Sequence, residues 1–155
     1  MDEILKKHEE NTIVQTNKID PKEFFKDRKG LYVWSSFEEN ILTKAESSDP
    51  KEFKLNSFTL LTRASDEKIE KALGDNHMFS ETDVCAILAS LIEKQPNGEE
   101  GILLNTGYAN LFYTSDRVVG VRWRGGGWFV GGWRRRGYAW HGVGRVFSLA
   151  TDLVS

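Results

Sequence analysis

Residues 117–147, with the sequence RVVGVRWRGGGWFVGGWRRRGYAWHGVGRVF, constrain the fold of this chain more than any other stretch. They hold four of the five Trp, nine of the fourteen Gly and seven of the nine Arg, and they contain no Lys, Met, Gln, Glu, Asp or Asn. Residues 1–116 carry 22 of the 23 acidic residues and a net charge of −8, whereas residues 117–151 carry +7. The total charge of −2 therefore does not reveal the sign of a partner.

The rest of the chain has the composition of one globular domain. Its 155 residues, 39% hydrophobic, are enough for one core and too few to argue for two. The single cysteine, Cys85, excludes an internal disulfide and a cysteine-based zinc site. The charged start MDEILKKHEEN does not resemble a signal peptide, and no apolar run has membrane-spanning length. We expect a monomeric, cytoplasmic protein without a membrane segment, with export by another route left open.

Helix signals stand in the first two-thirds of the chain. Asp20 is a predicted N-cap before Pro21, Ser65 caps a short helix closed by Gly74, and Ser80 begins a longer helix that Pro96 ends. A further helix is predicted over residues 37–45 from a capping box in which Glu38 and Glu39 follow two serines.

Strand signals stand near the start and dominate the end. They cover residues 31–34, 58–61, 102–104 and 111–113, the tryptophan-rich stretch, and a closing strand from Val146. The pattern predicts an α+β fold, with helices in the first two-thirds and an antiparallel sheet in the last third. We divide the chain into an N-terminal arm with a short helix, residues 1–27, and a domain over 28–155.

The tryptophan-rich stretch predicts a hairpin with one buried face. Val119, Val121 and Trp123 alternate with Gly120, Arg122 and Arg124, so the first set is expected to be buried and the second presented. Glycines 125–127 are expected to turn the chain. On the return strand Trp128 and Val130 face inward, Phe129 and Gly131 face outward, and a bulge is predicted at Gly132. Trp133 and Trp140 anchor the following loop.

The pattern VxVxWxxGGWxVxxWxRxGxxWxxxxRVFS resembles the variable region of target proteins of diversity-generating retroelements, in particular the group from archaea and candidate-phylum bacteria. The similarity extends through GLYVW, DVCAILASLIEKQP and GEEGILLNTGYANLFYTSD, and so covers about residues 28–152. The resemblance implies a C-type-lectin-like fold that binds ligands through residues 117–147. It also implies that a reverse transcriptase rewrites these residues with errors at template adenines.

The composition agrees with such a history. Asparagine codons mutated at both adenines encode Gly, Arg, His, Tyr, Phe, Val and Ala, but never Lys, Met, Gln, Glu or Trp. Except for Trp, whose codon contains no adenine, the excluded residues are absent from 117–147. A generic basic patch would not favour arginine without a single lysine.

By position in the pattern, the candidate variable, ligand-binding residues lie between the Val, Trp, Gly and Arg residues that look fixed. They are Gly120, Arg122, Arg124, Phe129, Gly131, Gly132, Arg134, Arg136, Tyr138, Ala139 and His141. Arg135, Gly142, Val143 and Gly144 are ambiguous, and Arg145 is assigned to the framework.

The same residues have other possible interpretations. A Gly/Arg/aromatic segment of charge +7 could bind nucleic acid, but the regular tryptophan spacing favours a folded element and a macromolecular ligand, preferably a protein. Gln95-Pro96-Asn97 is similar to the calcium-binding tripeptides of C-type lectins, yet it follows a helix and no carboxylate completes the site. His8, His77 and His141 are far apart in sequence. We therefore expect no catalytic residues, no metal, no cofactor and no enzyme activity.

Overall fold

The computed structural model describes residues 3–135 and 139–150. In chain order the first elements are β1 (Leu5–Lys7), β2 (Thr12–Gln15), α1 (Pro21–Phe24), β3 (Leu31–Val33), α2 (Ser35–Phe37) with a π-helical continuation (Glu38–Leu42), and β4 (Glu52–Leu60). They are followed by β5 (Ala64–Ser65), α3 (Asp66–Leu73), α4 (Glu81–Lys94), β6 (Asn110–Tyr113), β7 (Arg117–Arg124), β8 (Gly127–Arg134), β9 (Ala139–Trp140) and β10 (Arg145–Leu149).

Eight strands form one sheet in the order β1-β4-β10-β6-β7-β8-β3, with β2 also paired to β4. Most neighbours are antiparallel, but β10 with β6 and β3 with β8 are parallel. The first two strands of the chain both pair with β4, so the predicted N-terminal arm contributes directly to the sheet. β5 and β9 form a separate antiparallel pair.

Each face of the sheet is packed differently. The first face carries a large core in which Phe112, Val121 and Trp128 meet side chains of the helices, such as Phe37 and Ile87. The second face carries a smaller core, covered by α3 and by the β5–β9 pair, beneath β4, β10, β6 and the start of β7. The second half of β7, together with the whole of β8 and β3, is not covered by α3 or by the β5–β9 pair. This part of the second face is therefore open.

Helix-start chemistry predicted three helices correctly. The Asp20 side chain accepts a hydrogen bond from the backbone N–H of Lys22, and the side chains of Ser65 and Ser80 cap α3 and α4 in the same way. The helix predicted over residues 37–45 lacks its expected capping box. It begins at Ser35, and its N-cap residue, Trp34, forms no side-chain capping hydrogen bond.

The fold is a mixed α+β arrangement with a large, mostly antiparallel sheet and few helices. The described helices lie in the first two-thirds of the chain as predicted, but the sheet is not confined to the last third, because five of the ten described strands precede α3. Residues 102–104 form no strand, since the backbone of Leu103 is bonded to the Gln95 side chain instead of a neighbouring strand. None of the helices in the described part of the chain is long and apolar enough to cross a membrane.

Candidate recognition surface

The hairpin β7–β8 forms the basis of the candidate surface. Gly125 and Gly126 make a two-residue turn with φ of +57° and +86°, a conformation that glycine adopts without steric cost. The two strands pair continuously from Arg124↔Gly127 to Arg117↔Arg134, so the predicted bulge at Gly132 is absent. The inward set is confirmed for Val119, Val121, Trp128 and Val130, which are fully buried, whereas Trp123 is only partly buried against the same core.

The opposite face of this hairpin is the open one. Arg122 lies directly across from Phe129, and Phe129 lies beside Tyr32 of the edge strand β3. The rings of Phe129 and Tyr32 stack with centroids 4.9 Å apart. The Arg122 guanidinium lies 5.9 Å from the centroid of the Trp140 ring. One guanidinium group therefore lies between aromatic residues on this face, with Trp140 on one side and Phe129 and Tyr32 on the other.

Trp133 covers the next row of the same face, where Gly120 is paired with Gly131. A Cβ atom at Gly120 would lie 2.5 Å from Cζ3 of Trp133, and one at Gly131 would lie 2.8 Å from Cη2. The indole thus occupies the space that two side chains would need. It also contacts Trp34 and Trp140 edge to face, at centroid distances of 5.3 and 5.5 Å. Without the predicted bulge, Trp133 belongs to the open face.

The predicted variable positions fall into four groups. The exposed ones are Arg124, Arg134 and His141, and the partly exposed ones are Arg122, Phe129 and Ala139. Gly120, Gly131 and Gly132 are buried, which corrects their assignment as presented positions, whereas Arg136 and Tyr138 lie outside the described residues.

The three glycines are buried for different reasons. Gly120 and Gly131 do lie on the predicted face but are covered by Trp133. Gly132 lies on the other face, because pairing without a bulge keeps the two-residue period. A Cβ atom there would come within 3.2 Å of Ile41 Cγ1 and of the Ser36 carbonyl oxygen.

Two residues of the tryptophan-rich stretch are bound to buried carboxylates of α3. Arg135 donates to Glu70, from Nε to Oε2 at 3.2 Å and from Nη2 to Oε1 at 2.5 Å, and Glu70 also bonds His77 Nε2 at 2.9 Å. The Trp140 indole N–H donates to Asp66 Oδ1 at 2.7 Å. Asp66 and Glu70 are one helical turn apart, so α3 fixes the chain on both sides of residues 136–138.

The contacts and the exposure of the side chains show which of the remaining positions belong to the framework and which can contribute to the surface. Arg135 belongs to the framework, since its guanidinium is committed to Glu70 and to the carbonyl oxygen of Ser115. Arg145 agrees with its assignment to the framework, because Nη1 donates to the Ile102 carbonyl oxygen at 2.8 Å. Val143 is 54% exposed and can contribute to a surface.

Three exposed aromatic residues near the hairpin were missed by the sequence analysis. Tyr32 and Trp34 are 36% and 44% exposed, and Tyr108 is 44% exposed. The alternation in GLYVW is the signal that could have found the first two, because Leu31 and Val33 are buried and their neighbours must face the other way. No comparable pattern surrounds Tyr108.

The described arginines of residues 117–147 lie in several places and make different contacts. Arg117 and Arg134 face each other at the end of the hairpin distant from its turn. Arg135 is neutralised by Glu70, and Arg145 is bound to backbone carbonyls.

The other reactive side chains are held in structural roles. Burial raises the pKa of the Cys85 thiol. Burial, followed by the charge of Asp66, raises the pKa of Tyr113, whose hydroxyl donates to Asp66 at 2.7 Å. Within the described residues no three His, Cys, Asp or Glu side chains group as metal ligands would. The buried Gln95 amide bonds the backbone of Glu99 and Leu103, as a helix-stop turn requires.

The chain was also compared with known proteins. No protein-family model matches it, and neither a curated protein nor a solved structure does so at a significant level.

Proposed function

We propose that this protein is a non-catalytic ligand-binding protein that presents a diversified recognition surface on a C-type-lectin-like domain. The observation that carries the proposal is the division of the hairpin into two faces. Val119, Val121, Trp128 and Val130 are fully buried, whereas Arg122, Arg124 and Phe129 lie on the open face. Diversification requires such a division, because replacing a buried large residue costs about 3–5 kcal/mol and replacing an exposed one costs little.

The residue types on the open face support a retroelement as the source of the diversity. Arg122, Arg124, Phe129 and His141 are all within reach of mutated asparagine codons. Tryptophan is not, and the four tryptophans of residues 117–147 contact the core or one another. Selection for positive charge alone would not separate the residue types in this way.

The neighbouring DNA provides the test. We expect a near-copy of codons 117–147 close to a reverse transcriptase gene, with AAC or AAT at the codons for Arg122, Arg124, Phe129 and His141. The codons for Gly132 and Arg135 serve as internal controls and should match their template without such adenines, because both residues are committed to the framework. A genomic neighbourhood with no second copy of the stretch would contradict the proposal.

Nucleic-acid binding is the competing function that the charge of +7 suggests. Among the described arginines of the tryptophan-rich stretch, Arg135 and Arg145 are engaged internally and Arg122 lies over an indole, so few of these charges are available to phosphates. A binder dominated by phosphate contacts needs several cations along one path. The small number of available charges therefore supports a protein ligand.

A further inference from the structure

Two aromatic side chains from outside residues 117–147 lie on the same open face as the candidate variable positions. Tyr32 stacks on Phe129 with an interplanar angle of 26°, and Trp34 lies 6.2 Å from Phe129 and 5.3 Å from Trp133 between ring centroids. Tyr32 and Trp34 are 36% and 44% exposed. The four rings form a continuous aromatic strip, half of which comes from the segment around β3.

We infer that Tyr32 and Trp34 are constant anchors of the recognition surface, and that the partner of this variant is a protein surface with an apolar centre beside carboxylates. The inference rests on the proposed function and extends it to residues that diversification does not reach. Tyrosine and tryptophan give large contact areas with few rotatable bonds, and for that reason they dominate interface hot spots.

The charged part of the partner follows from the arginines that border the strip. Arg122 lies directly across from Phe129, and Arg124, two residues further along the same face, is exposed and available to a partner. A guanidinium group binds a carboxylate in bidentate fashion, and the attraction is stronger beside an apolar surface that excludes water.

The aromatic strip, and not the edge of the sheet, is the docking site. β3 is an edge strand, and an extended peptide could pair with it only through free backbone groups. The N–H of Leu31 donates to the Arg28 carbonyl oxygen at 3.0 Å, and the N–H of Val33 donates to Asp27 Oδ1 at 2.7 Å. These two donors are already used, so a partner contacts the face through side chains.

Selection from a phage-displayed library of random peptides, on the immobilised full-length protein, tests the inference. Enriched peptides should combine Asp or Glu with aromatic or aliphatic residues. Their affinity should fall about tenfold or more for Trp34→Ala and for Tyr32→Ala, as expected for hot-spot residues, and should be largely kept by Trp34→Phe. Ile13→Ala is the matched control, because Ile13 is 50% exposed on β2, at the other end of the sheet.

The outcomes separate this inference from the proposed function. If peptides lose binding to Arg124→Glu but bind Trp34→Ala and Tyr32→Ala normally, the anchor role of Tyr32 and Trp34 is overturned. The proposed recognition surface is then still supported. Peptides indifferent to all three changes, or no enrichment at all, would count against both. If a mixed-sequence single-stranded oligonucleotide binds and Trp34→Ala abolishes its binding, the anchors stand but the partner is a nucleic acid, and the protein assignment is overturned. Unfolding curves of each variant verify that it folds.

Discussion

Trp128 shows at the scale of one residue how the candidate surface is supported. Its side chain is fully buried, and its indole N–H donates to the Gln95 carbonyl oxygen at 2.7 Å, which joins the hairpin to the end of α4. We expect Trp128→Ala to lower the free energy of unfolding by about 3–5 kcal/mol. Arg124→Ala and His141→Ala should each change it by less than about 0.5 kcal/mol, because both side chains are exposed. Similar losses in chemical denaturation would contradict the division into framework and surface.

Gly120 should be sensitive to substitution only because of Trp133. A valine at position 120 cannot coexist with the present indole position, since even a Cβ atom would approach Cζ3 to 2.5 Å. We expect Gly120→Val to cost about 1–3 kcal/mol, as overpacking does, and to cost distinctly less when Trp133→Ala is also present. A double-mutant cycle of unfolding free energies measures the difference. Strict additivity would show that the two positions are independent.

His8 gives stability a pH dependence. Burial, with smaller effects from Arg145 and Lys6, lowers the pKa of His8 below its ordinary value of 6.5. The unfolded chain therefore gains its proton at a higher pH than the folded chain. This contribution to stability is complete above the unfolded pKa and is lost as the pH falls through it toward the folded pKa.

The change His8→Gln should remove that part of the pH dependence. Both chains are compared by their unfolding free energies at about pH 7.5 and about pH 5.5, where an unperturbed histidine changes charge. The wild-type protein should lose more stability than the variant on acidification. An equal or larger loss in the variant would contradict the assignment. The ring of His8 is held between the hydroxyl groups of Ser57 and Thr59, at 2.7 and 2.8 Å, so the change to Gln also tests whether these contacts matter for stability.

At the scale of elements, α3 holds the tryptophan-rich stretch through two carboxylates. Arg135→Ala would leave Glu70 buried without its guanidinium partner, and we expect a loss of about 3–5 kcal/mol, as for a broken buried ion pair. The neighbouring Arg134→Ala is the matched control and should cost less than about 0.5 kcal/mol, because Arg134 is exposed. Thermal and denaturant unfolding provide the measurement. Equal stability of the two variants would exclude a supporting role for α3.

Local sequence signals predicted well those elements whose backbone hydrogen bonds form within the element itself. The capped helices α1, α3 and α4 begin where Asp20, Ser65 and Ser80 place them. Glycines 125 and 126 likewise form the turn of the hairpin. Strand partners were not predictable, because β10 pairs with β4 and β6 across long stretches of sequence. The pairing of β3 with β8, which brings Trp34 to the surface, is of the same long-range kind.

For the candidate site, the sequence predicted which residues of the hairpin face the core, but it predicted the residues of the open face only in part. Two-residue alternation identified the buried set because the hairpin is local and regular. The alternation wrongly predicted Gly132 on the open face. The sequence alone does not show whether the strand has a bulge at Gly132 or continues regularly with Trp133 on the open face. Arg135 could not be assigned either, because its partner Glu70 is 65 positions away in the chain.

At the scale of the whole molecule, two of the arginines that give residues 117–151 their positive charge, Arg135 and Arg145, are bound to other groups of the protein. We therefore expect generic single-stranded DNA to bind weakly or not at all, even at a low salt concentration of about 50 mM, where phosphate contacts are strongest. A gel-shift series at increasing salt checks this, with the charge reversals Arg134→Glu and Arg136→Glu as comparison. A salt-sensitive shift that disappears on charge reversal would establish the nucleic-acid function instead.

Gly120 and Gly131, which lie beneath Trp133, limit the number of sequences that this fold can accept. Positions 120 and 131 share one indole, so a substitution at either changes what the other tolerates. The number of sequences that fold is therefore smaller than the product of the options at each site. A laboratory library built on this scaffold gains more usable members from randomising positions 124 and 141, whose side chains are exposed.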